Sequence, residues 1–188
     1  MKKILSIVLT LMMVVSVLPM GTVGLTASAA TSGYYTYTVS DSEATITYVD
    51  AAISGKVTIP SKLGGYKVTS IGEAAFAECY DITGVTIPNS VITIGLGAFA
   101  DCTSLTSVTL GNSVENIGNQ AFAYCPITSI TIPNSVTTIG AYAFYGCTGL
   151  TSIIFNAEDC ETMGSYDYPV FKNCTKLSSV TIGENGKN

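Results

Sequence analysis

The sequence predicts a mostly β solenoid of about five stacked coils, with short helical turns and an N-terminal β-hairpin cap. Three observations predict it. A Phe-x-x-Cys motif recurs five times, a short stretch of alternating apolar residues follows each motif, and a Pro or Gly ends most of these stretches. Repetition at a period of about 20–50 residues is typical of solenoids, in which each repeat forms one coil.

The first 29 residues predict a cleaved secretory signal peptide. Lys2 and Lys3 precede an uncharged, mostly apolar run over residues 4–18, and a small-x-small cleavage site follows at 27–29. The run is short for a bilayer span of about 20 residues. No cysteine precedes Cys79, so we expect no lipid anchor at the cleavage junction. The mature chain is therefore expected to be secreted or at the cell surface, without a membrane span.

Residues 30–55 predict an N-terminal β capping segment. A solenoid needs such a cap because its first coil would otherwise expose an apolar face. Side chains alternate on both sides of a turn at residues 40–43, as in a β-hairpin. The alternating residues are Tyr35, Tyr37 and Val39 before the turn, and Ile46 and Tyr48 after it.

Residues 56–188 predict the solenoid itself. The motif residues are Phe76 and Cys79, Phe99 and Cys102, Phe122 and Cys125, Phe144 and Cys147, and Phe171 and Cys174. In the first four repeats the Gly-x-x-Ala-Phe segment lacks β-branched residues, so we expect one helical or 3₁₀ turn there. The apolar-x-x-apolar-x-apolar stretch after each cysteine predicts a short strand with one buried face. Stacking about 4.8 Å apart then places each Phe on the next one.

Two segments show the repeat best, Leu105-Thr106-Ser107-Val108-Thr109-Leu110 and Ile130-Thr131-Ile132-Pro133-Asn134-Ser135-Val136. From about Lys56 to the end, the repeat closely resembles the BspA-like family of bacterial leucine-rich-repeat surface proteins. The resemblance implies a right-handed leucine-rich-repeat solenoid that attaches to a host protein or surface. It also implies that the repeated cysteines point inward and cap backbone groups of the turn.

Six cysteines in an exported protein are compatible with a disulfide framework. We expect free buried thiols instead at the repeated position, because stacked neighbours have parallel Cβ vectors that suit a disulfide poorly. Cys160 lies outside the repeat pattern, and it is the cysteine that we most expect to be exposed or paired. Zinc is disfavoured because the chain has no His and no Cys-x-x-Cys motif.

Charge and composition exclude several classes of function. The chain has 8 Lys+Arg against 13 Asp+Glu, and loss of Lys2 and Lys3 on cleavage would leave a net charge of −7. An acidic chain without arginine is not expected to bind nucleic acid. Without histidine, Ser-His or Cys-His catalysis is excluded. An acidic cluster, Glu158, Asp159 and Glu161, is either a solvated loop or a glycan-hydrolysing site. We expect the loop, and thus no enzyme, cofactor or metal.

Two surfaces are candidates for binding. The first is a column of outward-facing strand residues, Thr86, Thr109, Thr131 and Thr181, in which Ile154 replaces the fourth-coil threonine. Such threonines are either ordinary strand formers or a contact surface. An ice-binding array is a minor alternative.

The second surface is an insertion in the long block between Phe144 and Phe171. It adds residues within Ser165-Tyr166-Asp167-Tyr168-Pro169. Insertions in repeats often map to a binding face. Tyr166 and Tyr168 beside Asp167 are suited to stacking on a sugar ring or an aromatic side chain. Alternatively, the loop merely tolerates the extra length.

Together these features predict a secreted, non-enzymatic binding or adhesion module that recognises an extracellular protein or polysaccharide. The alternative is a structural spacer or a fragment of a larger surface protein. It is favoured by residues 183–188, which follow the last strand without forming a polar cap. Such an uncapped coil is expected to self-associate end to end.

Overall fold

The structure is a computed structural model, and it describes residues 29–183. The predicted signal peptide lies almost entirely outside the described residues, as does the tail at 184–188. In the described range the chain forms strands and turns, and no helix there could span a membrane.

Fifteen strands are present between residues 29 and 183. In chain order they are β1 (Ala30–Ser32), β2 (Tyr35–Ser40), β3 (Glu43–Val49), β4 (Gly55–Thr58), β5 (Lys62–Leu63), β6 (Tyr66–Ile71), β7 (Ile82–Thr86), β8 (Thr93–Ile94), β9 (Ser107–Thr109), β10 (Asn116–Ile117), β11 (Ser129–Ile132), β12 (Thr138–Ile139), β13 (Ser152–Phe155), β14 (Thr162–Met163) and β15 (Ser179–Ile182).

Each coil has three sides. The long-strand side consists of two parallel sheets, ordered β4-β7-β9 and β11-β13-β15. The short-strand side contains β6, β8, β10, β12 and β14, which pair in parallel in that order. The turn side contains the Phe-x-x-Cys motifs. Six long strands correspond to about six coils. The sequence predicted about five coils, because each predicted long strand follows a Phe-x-x-Cys motif. The sixth long strand, β4, precedes the first motif and was not counted.

The predicted N-terminal hairpin is confirmed. β2 and β3 pair antiparallel, and β3 then pairs in parallel with β6, so the hairpin extends the short-strand sheet. The ring of Tyr35 lies edge-on to Phe76, with 6.3 Å between the ring centroids. The hairpin therefore covers the first ring of the phenylalanine column.

The core contains this column of stacked phenylalanines. Successive ring centroids, from Phe76 to Phe171, are 4.6–5.3 Å apart. A column of thiols accompanies the rings, and all six cysteines are free. From the second motif onward, each motif cysteine donates a hydrogen bond to the carbonyl of the preceding motif phenylalanine. The Sγ–O distances are 3.0 Å for Cys102 and for Cys125, 3.2 Å for Cys147 and 3.1 Å for Cys174.

The turn side is not helical, so the prediction of one helical or 3₁₀ turn there was wrong. The residue two positions after each motif phenylalanine has a left-handed backbone, with φ of 58–67° in all five motifs. In the first four motifs the residue two positions before the phenylalanine is also left-handed. This conformation turns backbone N–H groups toward the next coil. Phe99 N–H, for example, donates to the Ala121 carbonyl at 2.8 Å.

Candidate functional site

Four tyrosines pack together on the turn side of the solenoid, and we call them the tyrosine cluster: Tyr124, Tyr142, Tyr145 and Tyr168. Tyr124 and Tyr142 each lie edge-on to Tyr145, with both centroid distances at 5.1 Å. Tyr168 lies edge-on to Tyr142 at 5.5 Å. Edge-to-face packing at this distance is the geometry that aromatic pairs prefer. The cluster therefore joins three successive coils at the surface.

The repeat itself positions the first three rings. Tyr124 lies two residues after Phe122, while Tyr142 and Tyr145 flank Phe144. Tyr124 lies against the next coil at Gly146, whose φ is +67°. A Cβ on Gly146 would lie only 2.9 Å from Cδ1 of Tyr124. Glycine at this position thus leaves room for the Tyr124 ring.

The insertion contributes the fourth ring. Ser165 and Tyr168 exchange two backbone hydrogen bonds of 3.2 Å, which close the loop. The Tyr142 hydroxyl donates to the Asp167 carbonyl at 3.1 Å. The loop is therefore fixed to the fourth coil through both Tyr168 and Asp167.

A shallow depression of about 200 Å³ lies at the tyrosine cluster and is lined by Gln120, Tyr124, Tyr142, Tyr145 and Lys172. The Lys172 ammonium lies 5.5 Å from the Tyr142 ring centroid, within cation–π range. The Asn173 amide donates to the Tyr145 hydroxyl at 2.9 Å.

Tyr124 is the most accessible ring that lines this depression, with 52% of its surface exposed. Loss of hydration, the Tyr145 hydroxyl and the Asp101 carboxylate raise its pKa, in that order of importance. A tyrosine hydroxyl is protonated at neutral pH even without this shift, so the Tyr124 hydroxyl can donate a hydrogen bond.

The structure brings together only part of the predicted loop site. Tyr168 and Asp167 contact the tyrosine cluster, but Tyr166 is fully exposed and makes none of the aromatic pairs found in the described residues. Sequence reasoning missed Tyr124, Tyr142 and Tyr145. These tyrosines can be found from the sequence only by aligning the repeats. The alignment shows that residues flanking successive motif phenylalanines occupy neighbouring positions in stacked coils.

The predicted threonine column lies on the long-strand side and is divided between its two sheets. Thr86 pairs with Thr109 in one sheet, while Ile154 separates Thr131 from Thr181 in the other. Thr58, which the sequence reasoning missed, extends the first part of the column because it pairs with Thr86. Ile154 is 45% exposed, so it interrupts the row of hydroxyls with an apolar side chain.

The acidic cluster of Glu158, Asp159 and Glu161 is exposed in the structure. Within residues 29–183, no group of three or more His, Cys, Asp or Glu side chains is arranged to hold a metal ion. Cys160, which lies between these acids, is half-buried and donates to the Thr162 carbonyl at 3.5 Å.

Comparisons with known proteins identify the repeat. Residues 69–188 match the model of the BspA type leucine rich repeat region, in six copies. No curated protein is significantly similar to the chain.

Several solved structures share the fold. A leucine-rich cell surface protein from Faecalibacterium prausnitzii is 26% identical, with a TM-score of 0.73 over 84% of this chain and 40% of that one. A leucine-rich repeat protein from Bacteroides capillosus is 30% identical, with a TM-score of 0.56 over 84% of this chain and 99% of that one. The leucine-rich repeat protein of T. pallidum, 22% identical, has a TM-score of 0.57 over 82% of both chains.

The aligned part of this chain thus spans less than half of the F. prausnitzii protein and nearly all of the B. capillosus protein. The family match extends over more than half of this chain. The chain belongs to the family of BspA-type leucine-rich repeat proteins.

Proposed function

We propose that the chain is an extracellular, non-enzymatic binding module that attaches to a protein or polysaccharide through the tyrosine cluster. The observation that carries this proposal is the cluster itself, which surrounds a depression between coils and is reinforced by the inserted loop. Tyrosines offer a large, rigid contact surface at a low cost in conformational entropy. The description of the F. prausnitzii relative as a cell surface protein supports the extracellular location.

The surface is suited to binding rather than to catalysis. The depression is small and open, whereas catalytic and cofactor sites are usually larger and enclosed. It is lined by phenols, one amide and one ammonium, and none of these is paired with a carboxylate or imidazole base in the lining. Contact with a macromolecule needs only such a surface, and repeat proteins commonly provide it.

The test is retention of residues 30–188 on a panel of immobilised extracellular matrix proteins, cell-wall polysaccharides and glycans. We expect Tyr124→Ala and Tyr168→Ala to weaken retention of the ligand about tenfold each, because each removes an aromatic contact of about 1–3 kcal/mol. Tyr80→Ala is the matched control, since Tyr80 is 51% exposed on the same side of the first coil.

Thr109→Asp tests the long-strand side in the same assay. If Thr109→Asp abolishes retention and the two tyrosine variants do not, the binding surface is the threonine column instead. If none of these variants changes retention, the assignment of the site is wrong.

The last described coil favours a second function, assembly. Val180 and Ile182 are 57% and 67% exposed. They line a wholly apolar depression of about 310 Å³ together with Ile153, Phe155, Met163, Phe171 and Leu177. We propose a second copy of the chain as the partner at this surface. Light scattering over a range of protein concentrations tests it.

A further inference from the structure

The depression at the tyrosine cluster has the size of one ring rather than of a whole ligand. Its volume, about 200 Å³, is below the roughly 300–1,000 Å³ of pockets that enclose a drug-sized molecule. A macromolecule that binds here therefore inserts a single unit, either one sugar residue or one side chain, and continues over the neighbouring coils.

The groups around the depression match a pyranose better than an amino-acid side chain. A pyranose has an apolar C–H face and a rim of hydroxyl groups. The half-exposed Tyr124 ring offers the apolar face a stacking surface. The Gln120 amide and the Tyr124 hydroxyl offer donors and acceptors to the rim. The other two lining hydroxyls already have protein partners, since Tyr142 donates to the Asp167 carbonyl and Tyr145 accepts from the Asn173 amide. An apolar side chain would use the ring face alone and would leave the Gln120 amide in the lining without a ligand contact.

The one charged side chain that lines the depression is basic, although the chain as a whole is acidic and Asp101 lies close enough to raise the pKa of Tyr124. Lys172 lines the depression, and its ammonium is held close to the Tyr142 ring. The full chain has 13 Asp+Glu against 8 Lys+Arg, so the basic group in the lining has the opposite sign to the net charge of the chain. A carboxylate on the ligand would form a charge-assisted hydrogen bond with this ammonium.

We infer that the tyrosine cluster binds a carboxylate-bearing pyranose, such as a hexuronic or sialic acid residue of an extracellular glycan. The ring stacks on Tyr124 and the carboxylate pairs with Lys172. This inference rests on the proposed function and names the ligand class for the same site.

The test measures binding of residues 30–188 to two matched pairs of sugars by titration calorimetry. One pair is an oligogalacturonate and its carboxyl-reduced product, and the other is sialyllactose and lactose. We expect the acidic member of at least one pair to bind at least about tenfold more tightly than its neutral partner, and added salt to weaken it. The pair that shows this preference identifies the source of the carboxylate.

Variants separate the two contacts. Lys172→Met keeps the aliphatic stem and removes the charge, so we expect it to abolish the preference for the acidic sugar and its salt dependence. Lys62→Met, which removes a lysine far from the cluster on β5, should leave both unchanged. Tyr124→Ala should weaken both sugars of a pair, whereas Tyr80→Ala should weaken neither.

Three results would overturn the inference. Equal affinity for the acidic and neutral sugars would show that the carboxylate does not contribute to binding. Loss of the preference in Lys62→Met as well as in Lys172→Met would show a general charge effect. Retention of a protein ligand through Tyr124, with no sugar bound, would leave the proposed function intact and reject the sugar as its ligand.

Discussion

From the second motif onward, the thiols of the Phe-x-x-Cys motifs donate hydrogen bonds that join successive coils. Differences in burial and in neighbouring groups make the six cysteines unequal in reactivity. Cys79, Cys102, Cys125 and Cys147 are buried, while Cys160 and Cys174 are half-buried. Burial, with a smaller contribution from Cys102 and Asp50, raises the pKa of Cys79 to about 11. The pKa of Cys125 is raised first by the neighbouring Cys102 thiol and then by burial. The pKa of Cys147 is raised first by the neighbouring Cys174 thiol and then by burial. A raised pKa disfavours the thiolate, which is the reactive form.

We predict that a thiol-alkylating reagent modifies the native protein at Cys174 first and at Cys160 second. A hydrogen bond with Cys147 lowers the pKa of Cys174, while burial raises that of Cys160. As the pH rises, the Cys174 thiolate is therefore populated at a lower pH than the Cys160 thiolate. Peptide mass spectrometry after short labelling at several pH values measures this order.

The buried thiols provide the internal control for this labelling experiment. Cys79, Cys102, Cys125 and Cys147 should be labelled only after unfolding in urea. Labelling of Cys125 in the native protein at the rate of Cys160 would contradict the buried thiol column.

At the scale of the element, the turn segment depends on left-handed residues. Gly97 and Gly146 both have a left-handed backbone, with φ of +57° and +67°. They differ in their surroundings. A Cβ on Gly97 would meet only Ala100 Cβ at 3.8 Å, whereas one on Gly146 would press into the Tyr124 ring. Substituting each glycine in turn therefore separates the cost of backbone strain from the cost of moving the Tyr124 ring.

We predict that Gly97→Ala lowers the free energy of unfolding by about 1–2 kcal/mol, the cost of a left-handed non-glycine residue. Gly146→Ala should lower it further, because the Tyr124 ring must also move. Urea denaturation measures both changes. Near-ultraviolet circular dichroism of the tyrosines should change in Gly146→Ala alone. Identical spectra and stabilities for the two variants would show that Tyr124 does not depend on Gly146.

The turn segment also shows where sequence reasoning fails. The long strands could be predicted because alternation of buried and exposed residues is a direct consequence of strand geometry. The turns could not, because Ala74, Gln120 and Tyr142 adopt a left-handed backbone that such residues rarely adopt. Hydrogen bonds between coils hold the first two in that conformation, since Ala74 N–H donates to the Leu96 carbonyl and Gln120 N–H to the Ala141 carbonyl, both at 2.9 Å. These bonds exist only after stacking.

The candidate site was predictable only in part, for a related reason. An insertion is visible as a longer repeat, so Tyr168 and Asp167 could be named from the sequence. Tyr124 and Tyr145 lie in different repeats, 21 positions apart. Their contact depends on the register of the coils and on the space at Gly146, and neither can be predicted from the local sequence.

At the scale of the whole molecule, the two ends of the described solenoid differ. The hairpin covers the first coil, with β3 paired to β6 and Tyr35 packed on Phe76. At the other end, β15 is the edge strand of its sheet, and its apolar side chains are exposed. An exposed edge strand with an apolar face is a surface on which another chain can pair. Within residues 29–183, β15 therefore presents the exposed apolar surface that best suits a second copy.

A contact between β15 of one copy and β15 of another is isologous, so we predict that assembly closes at a dimer rather than growing into a filament. Light scattering of residues 30–188 should show the mass rising from monomer to dimer with concentration and then remaining constant. Val180→Asp should hold the protein as a monomer, because it places a charge in the apolar surface of β15. Thr181→Asp, on the same strand, is the matched control and should still dimerise, since Thr181 does not line the apolar depression. A monomer at every concentration would reject assembly, and masses above the dimer would reject the isologous contact.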